Sequence, residues 1–197
     1  MKLHLGAFDQ IHPGWRNTDV TPHLYVARVP GLPRLLEAAG VLNERQIRSY
    51  RDGTYRQLHK LDVTRRFPFP DAAVDAIHIS HMLSNLERDN AQFCLNECFR
   101  VLKPGGILRV STMDLDASVA AYNPADPETF VGLMFDCDAS KKARYRHWWH
   151  YNERSLSDRL RKAGFQEVQR CEYRKGRCPD VETIDSRPGS LFLEATK

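Results

Sequence analysis

No stretch of this chain approaches the roughly 18 consecutive apolar residues that a membrane-spanning helix needs. Nothing in it resembles a secretion signal either, because Lys2 is followed by only a few apolar residues before Asp9 and Gln10. The expected location is therefore the cytoplasm. Paired cysteines are also missing. The five cysteines, Cys94, Cys98, Cys137, Cys171 and Cys178, include no CxxC pair, and an odd count without an export signal argues for reduced thiols. Cys94 and Cys98 stand four apart on an expected helix with no histidine at matching spacing, so they read as apolar packing. A dense basic stripe interleaved with aromatics is absent too. The net charge of +4 comes with arginines spread along the chain, so nucleic acid is not the expected partner. No repeat, low-complexity tract or linker divides the 197 residues, of which 42% are hydrophobic. That length suits one domain, 1–197, with a sizeable core.

What is present is an alternation of strands and helices. Lys2–Gly6 alternates apolar and polar residues and ends on glycine, and Arg16–Val20 is a second extended stretch after the turn at Pro13-Gly14. Between Pro30 and Gly53 the pattern turns helical. Leu32, Leu35 and Leu36 share a face, Gly40 ends that helix and Asn43 caps the next. This makes about 22–56 a helical insertion. Leu58–Val63 reads as a third strand and Val74–Ser80 contains a fourth. Glu87–Leu102 carries Ala91, Cys94, Leu95, Cys98, Phe99 and Leu102 at helical spacing, and Lys103-Pro104-Gly105-Gly106 turns it into the strand Ile107–Ser111. Short helices are expected at Leu115–Tyr122 and Glu128–Phe135, then a helix capped by Asn152 and ended by Gly164. Phe165–Tyr173 and Ser190–Ala195 close the chain as strands with no helix expected between them. The fold class is α/β and Rossmann-like: a mostly parallel seven-stranded sheet, helices on both faces, and an antiparallel C-terminal edge hairpin.

In such a sheet the ligand crevice lies beyond the carboxyl ends of the strands, where the winding reverses. The loops after Gly6 and after Ser80 border it. Gly6 permits a tight turn and close backbone approach. Asp19, ending the second strand, is placed to accept hydrogen bonds from a ribose diol. Asp62, after the third, is placed to receive an adenine amino group. A single acid after a strand is usually a cap or turn residue; two after consecutive strands point toward a nucleotide.

The segment FPFPDAAVDAIHISHMLSNLERDNAQFCLNECFRVLKPGGILRVSTMDL resembles the middle of class I S-adenosylmethionine-dependent methyltransferases. That family shows an LPFPDNSFD-like lead-in, an SHVLEHL-like strand exit and an RVLKPGG turn. The opening LHLGAFDQIHPGWRNTDV and the tail HWWHYNERSLSDRLRKAGFQEV…SLFLEATK resemble a branch carrying LNLG…PGW.N.D, often associated with polysaccharide biosynthesis. The resemblance implies S-adenosyl-L-methionine as cofactor. It also implies cofactor-binding roles for Gly6, Ala7 and Phe8 (glycine loop), Asp19 (ribose), Asp62 and Val63 (adenine side), and Ser80 and His81 (methionine side). Phe8 stands where the family has a second glycine, His4 where an acid is frequent, and Asn85 where EHL-type sequences have histidine.

Methyl transfer is an in-line displacement in which positioning supplies much of the rate, and a hydroxyl acceptor gains from a base. His81 is the first candidate base, with capping of the strand exit or packing beside the cofactor as its other readings. Asp114, after the fifth strand, is a second catalytic candidate or the N-cap of the helix that follows it. His147, Trp148, Trp149, His150 and Tyr151 form an aromatic cluster suited to stacking on a sugar or to packing on the sheet. His147 and His150 are three apart, but the sequence shows no third ligand, so no metal is expected. The implied reaction is methyl transfer to a small-molecule or glycan acceptor, with oxygen favoured. A catalytically inactive binding or regulatory protein with an altered loop is the alternative, and an RNA or protein methyltransferase a further one. No feature specifies an oligomer.

Overall fold

The computed structural model describes residues 1–135 and 147–197; Cys137 and the start of the segment before His147 lie outside the described residues. Seven strands form one sheet in the order β3-β2-β1-β4-β5-β7-β6. They are β1 (Lys2–Leu5), β2 (Trp15–Asp19), β3 (His59–Lys60), β4 (Val74–Ser80), β5 (Leu102–Thr112), β6 (Glu167–Cys171) and β7 (Leu191–Thr196). The first five pair in parallel, and β7 inserts antiparallel between β5 and β6.

The helices are α1 (His23–Val26), α2 (Leu32–Ala38), α3 (Glu44–Arg51), α4 (Arg88–Val101), α5 (Leu115–Ala120), α6 (Pro127–Phe135), α7 (Glu153–Lys162) and α8 (Val181–Ile184). Asn43 and Asn152 each close a capping box, on α3 and α7, as their position before an amphipathic run requires. α4 turns Ala91, Cys94, Leu95 and Cys98 toward one face of the sheet, where they meet Leu3, Leu5, Ile77, Ile79, Leu108 and Leu156 in the main core. The two thiols of α4 are thus packing groups, and burial raises that of Cys98.

Three elements depart from the sequence reading. The third strand is only His59–Lys60, because Asp62 Oδ1 accepts from both the amide (3.0 Å) and the hydroxyl (2.6 Å) of Thr64 and turns the chain. The strand following α4 begins at Leu102 and not at Ile107. Val74 opposes Leu102 but Ala76 opposes Ile107, so the Pro-Gly-Gly turn is taken up as a bulge within β5. The connection between β6 and β7, expected to lack a helix, contains α8. It lies over the second face of the sheet, with Cys178 and Ile184 packing on Trp15 and Ala76.

That second face is crossed by one polar row. In register, Asn17 of β2 opposes His4 of β1, His4 opposes His78 of β4, His78 opposes Arg109 of β5, and Arg109 opposes Glu194 of β7. Strand alternation places all five on the same face, opposite Leu3 and Leu5. All five are buried.

Candidate active site

β1 and β2 are joined without a helix, so residues 6–14 turn over the carboxyl ends of the strands. Gly6 has φ +69°, and a Cβ there would sit 2.5 Å from Met82 Cγ. Glycine answers both demands at once. Ala7 donates to the Thr18 carbonyl at 2.9 Å, which ties the loop to β2. Phe8 is also left-handed, with φ 47°. Its amide donates to Asp19 Oδ2 at 2.8 Å, while Asp19 Oδ1 accepts from the Thr21 amide at 2.7 Å. One carboxylate therefore anchors the loop after β1 and the chain leaving β2.

The Phe8 ring turns toward the insertion. It meets Tyr55 and His23 edge-on at centroid distances of 5.9 and 6.0 Å. Ala7, Leu24, Ala27, Tyr55 and Leu58 form the small core beneath it. Arg45 of α3 forms a two-point ion pair with Asp9, one contact of which measures 2.6 Å, and its guanidinium lies 5.9 Å from the Phe8 ring centre. The insertion is thereby fastened to the loop, and Tyr25 and Arg45 reach the crevice wall.

These pieces enclose a cavity of about 830 Å³. Gly6, Ala7, Phe8, Asp19, Asp62, Val63, Ser80 and His81 all line it. Asp62 is held below the usual carboxylate range, chiefly by the Thr64 hydroxyl. His81 adopts φ 49° as the chain leaves β4, and its amide donates to the Ser111 carbonyl at 2.9 Å. Its Nε2 lies 2.9 Å from Ser190 Oγ, and that hydroxyl donates to the Arg187 carbonyl at 2.9 Å. The hydroxyl proton is spent on Arg187, so Ser190 accepts and His81 carries its proton on Nε2. The lone pair is left on Nδ1. Burial, helped by Arg187 and His147, pushes the His81 pKa down to about 4. At neutral pH the ring is uncharged.

Asp114 does not line this cavity. Its Oδ1 accepts from the Asp116 amide at 3.1 Å as the N-cap of α5, and its Oδ2 receives Arg170 at 2.8 Å. In the aromatic cluster, Tyr151 is buried in the main core, whereas Trp148 and Trp149 are exposed and Arg88 lies 4.8 Å from the Trp149 ring centre. Sequence reasoning did not single out Met82, Tyr25, Arg45 and Arg187 as lining residues. Tyr25 and Arg45 come from the insertion and Arg187 from the β6–β7 connection. No local pattern aims such segments at a site.

Residues 33–110 match the family model described as "Methyltransferase domain". A curated protein of Mycolicibacterium smegmatis, described as a probable S-adenosylmethionine-dependent methyltransferase, is 30% identical over 129 residues. The match takes in 65% of this chain and 42% of that relative, so the chain spans less than half its length. Among solved structures, a SAM dependent methyltransferase from Archaeoglobus fulgidus is similar with a TM-score of 0.54 and 14% identity, over 100% of this chain and 85% of that one. PigF with SAH is similar with a TM-score of 0.53 and 15% identity, over 100% of this chain and 50% of that one. At such identities the likeness is one of fold.

Proposed function

We infer that this chain is an S-adenosylmethionine-dependent methyltransferase domain of class I, a reading supported by the family match, the curated relative and the shared fold. The observation that carries it is the single cavity walled by Gly6, Asp19, Asp62 and His81 at the carboxyl ends of β1, β2 and β4. The residues fit the cofactor. Gly6 allows the left-handed turn that brings the loop backbone to the cavity wall against Met82, and Asp19 lines the same cavity. When bound, S-adenosylmethionine supplies an electrophilic methyl group on a sulfonium sulfur.

The roles follow from the groups present. Asp19, already fixed by two backbone amides, keeps unused lone pairs for a ribose diol. Asp62 and Val63 flank the adenine side. Ala7 and Phe8 shape the loop above, and Ser80 lies at the methionine end beside His81. His81 holds its proton on Nε2 through Ser190, so Nδ1 is the nitrogen that takes a hydrogen bond or a proton from an acceptor hydroxyl. A pKa near 4 makes it a weak base, suited to orienting a hydroxyl more than to removing its proton fully. The acceptor is a small molecule or glycan, methylated on oxygen, and the insertion of about 22–56 selects it through Tyr25 and Arg45 at the cavity wall.

Calorimetry with S-adenosylmethionine and S-adenosylhomocysteine tests the reading. Saturable one-site binding is expected, and no binding at millimolar ligand overturns it. Binding without turnover on any acceptor hydroxyl would favour the inactive binding protein.

A further inference from the structure

Three histidines from separate parts of the chain converge on the second face of the sheet, away from the main core. His4 and His78 are neighbours across β1 and β4, and His12 folds back from the β1–β2 loop to stack on His4 with ring centres 4.4 Å apart. His78 is 5.0 Å from His4 and 5.4 Å from His12 by ring centres. One ring nitrogen from each lies within 4.8 Å of the others. His4 and His78 are fully buried and His12 is 9% exposed.

Their hydrogen bonding is one-sided. Among the described residues, His4 Nε2, His12 Nε2 and both nitrogens of His78 find no hydrogen-bond partner. A neutral imidazole always carries one N–H and one lone pair, so such burial is costly for an ordinary packing residue. Asn17 explains how His4 is set. Asn17 Nδ2 donates to the carbonyls of His12 and Trp15, each at 3.1 Å, which fixes Oδ1 as the acceptor. Oδ1 receives the His12 amide at 3.0 Å and faces His4 Nδ1 at 3.1 Å. His4 must therefore carry its proton on Nδ1, which leaves its lone pair on Nε2. Burial disfavours the charged form of an imidazole, and each neutral ring keeps one lone pair.

The charges around the cluster act in both directions: Asp180 and Asp185 favour positive charge at His12, whereas the Arg109 guanidinium disfavours it at His78. Beside His78 in the same row, Arg109 faces two fully buried carboxylates, Asp185 at 2.6 Å and Glu194 at 2.9 Å. One guanidinium against two carboxylates leaves a net negative charge under the same segment.

We propose that His4, His12 and His78 form a binding site for a single divalent late first-row transition-metal ion such as zinc, with Asn17 as the outer partner that fixes the His4 tautomer. Three imidazole nitrogens are a ligand set suited to zinc, copper, nickel or iron, and an outer hydrogen bond to the far nitrogen is the usual companion of a ligating histidine. The rings must close to reach bonding distance, by rotation of the His12 side chain, since Asn17 holds its backbone. The ion would pin residues 6–14, the same loop that carries Gly6 and Phe8. This site does not rest on the methyltransferase reading.

The test is titration of chelator-stripped full-length protein with zinc chloride and with cobalt chloride, followed by calorimetry and by visible absorption of the cobalt form. One equivalent per chain is expected, with X-ray absorption giving a shell of three imidazoles. His78→Leu and His12→Ala should each weaken binding by about 100-fold or more, and Asn17→Leu by about 10- to 100-fold. His59→Gln, at an exposed histidine on β3, should change nothing. Absence of stoichiometric binding by the folded wild type overturns the proposal, as does unchanged affinity in His12→Ala. If His78→Leu fails to fold, His12→Ala and the wild-type X-ray absorption decide it; a shell of carboxylates or fewer than three imidazoles counts against the site.

Discussion

The Phe8 amide donates to Asp19 Oδ2 at 2.8 Å, so the residue that replaces a second glycine is held by the acid at the end of the neighbouring strand. This bond fixes the loop with the Phe8 ring directed to Tyr55 and His23. It also makes Asp19 responsible for both loop order and any ribose contact.

Asp19→Ala should weaken S-adenosylhomocysteine binding by about 10- to 100-fold, the range of one or two charge-assisted hydrogen bonds. Calorimetry on variant that retains the wild-type circular dichroism spectrum checks it. A wild-type dissociation constant would remove Asp19 from the binding site.

Phe8 bears two opposed effects. A left-handed non-glycine residue is strained by about 1–2 kcal/mol, while its half-buried ring packs on the small core. Phe8→Ala keeps the strain and loses the packing; Phe8→Gly loses both. Urea unfolding should therefore show Phe8→Gly more stable than Phe8→Ala by about 1 kcal/mol. The reverse order would show that the backbone there is not strained.

His81 makes the fold acid-sensitive. Its folded pKa of about 4 lies below the ordinary 6.5, so the unfolded chain takes up the proton first as pH falls. Stability present above pH 6.5 is lost toward pH 4, by at most about 3 kcal/mol. The urea midpoint should fall less steeply with acidification in His81→Gln than in the wild type. His81→Ala should lower kcat more than donor affinity if the ring orients the acceptor; the opposite split would make it a cofactor contact.

Arg109→Leu should destabilise the protein by about 3–5 kcal/mol, because it strands two buried carboxylates. Those carboxylates also hold the β6–β7 connection, accepting the amides of Arg174 and Arg177 at 2.7 Å each. Limited proteolysis should find that connection newly cleavable in the variant. Resistance equal to wild type would mean that other contacts hold it.

The succession of strands along the chain and the long helix α4 were legible because each rests on local rules: apolar period, caps and breakers. Four of the residues lining the cavity were legible for a related reason. Gly6, Asp19, Asp62 and His81 follow successive parallel strands, and parallel winding brings strand ends together. The N-cap use of Asp114 was equally local.

Other features required three dimensions. The length of β3 depended on one Asx turn at Asp62, and α8 formed where the β6–β7 connection packs on Trp15. His78 lies far in sequence from His4 and His12, and only register and the fold-back of one loop unite the three.

The opening strand and loop divide the same way. By itself the sequence determined that a short strand runs over Lys2–Gly6 and ends on a glycine free to turn, since alternation and backbone freedom are properties of a few adjacent residues. Only the tertiary structure decided that Phe8 turns toward the insertion and that His4 faces two other histidines. Side-chain direction on a loop, and the company kept across a sheet, depend on partners that are distant along the chain.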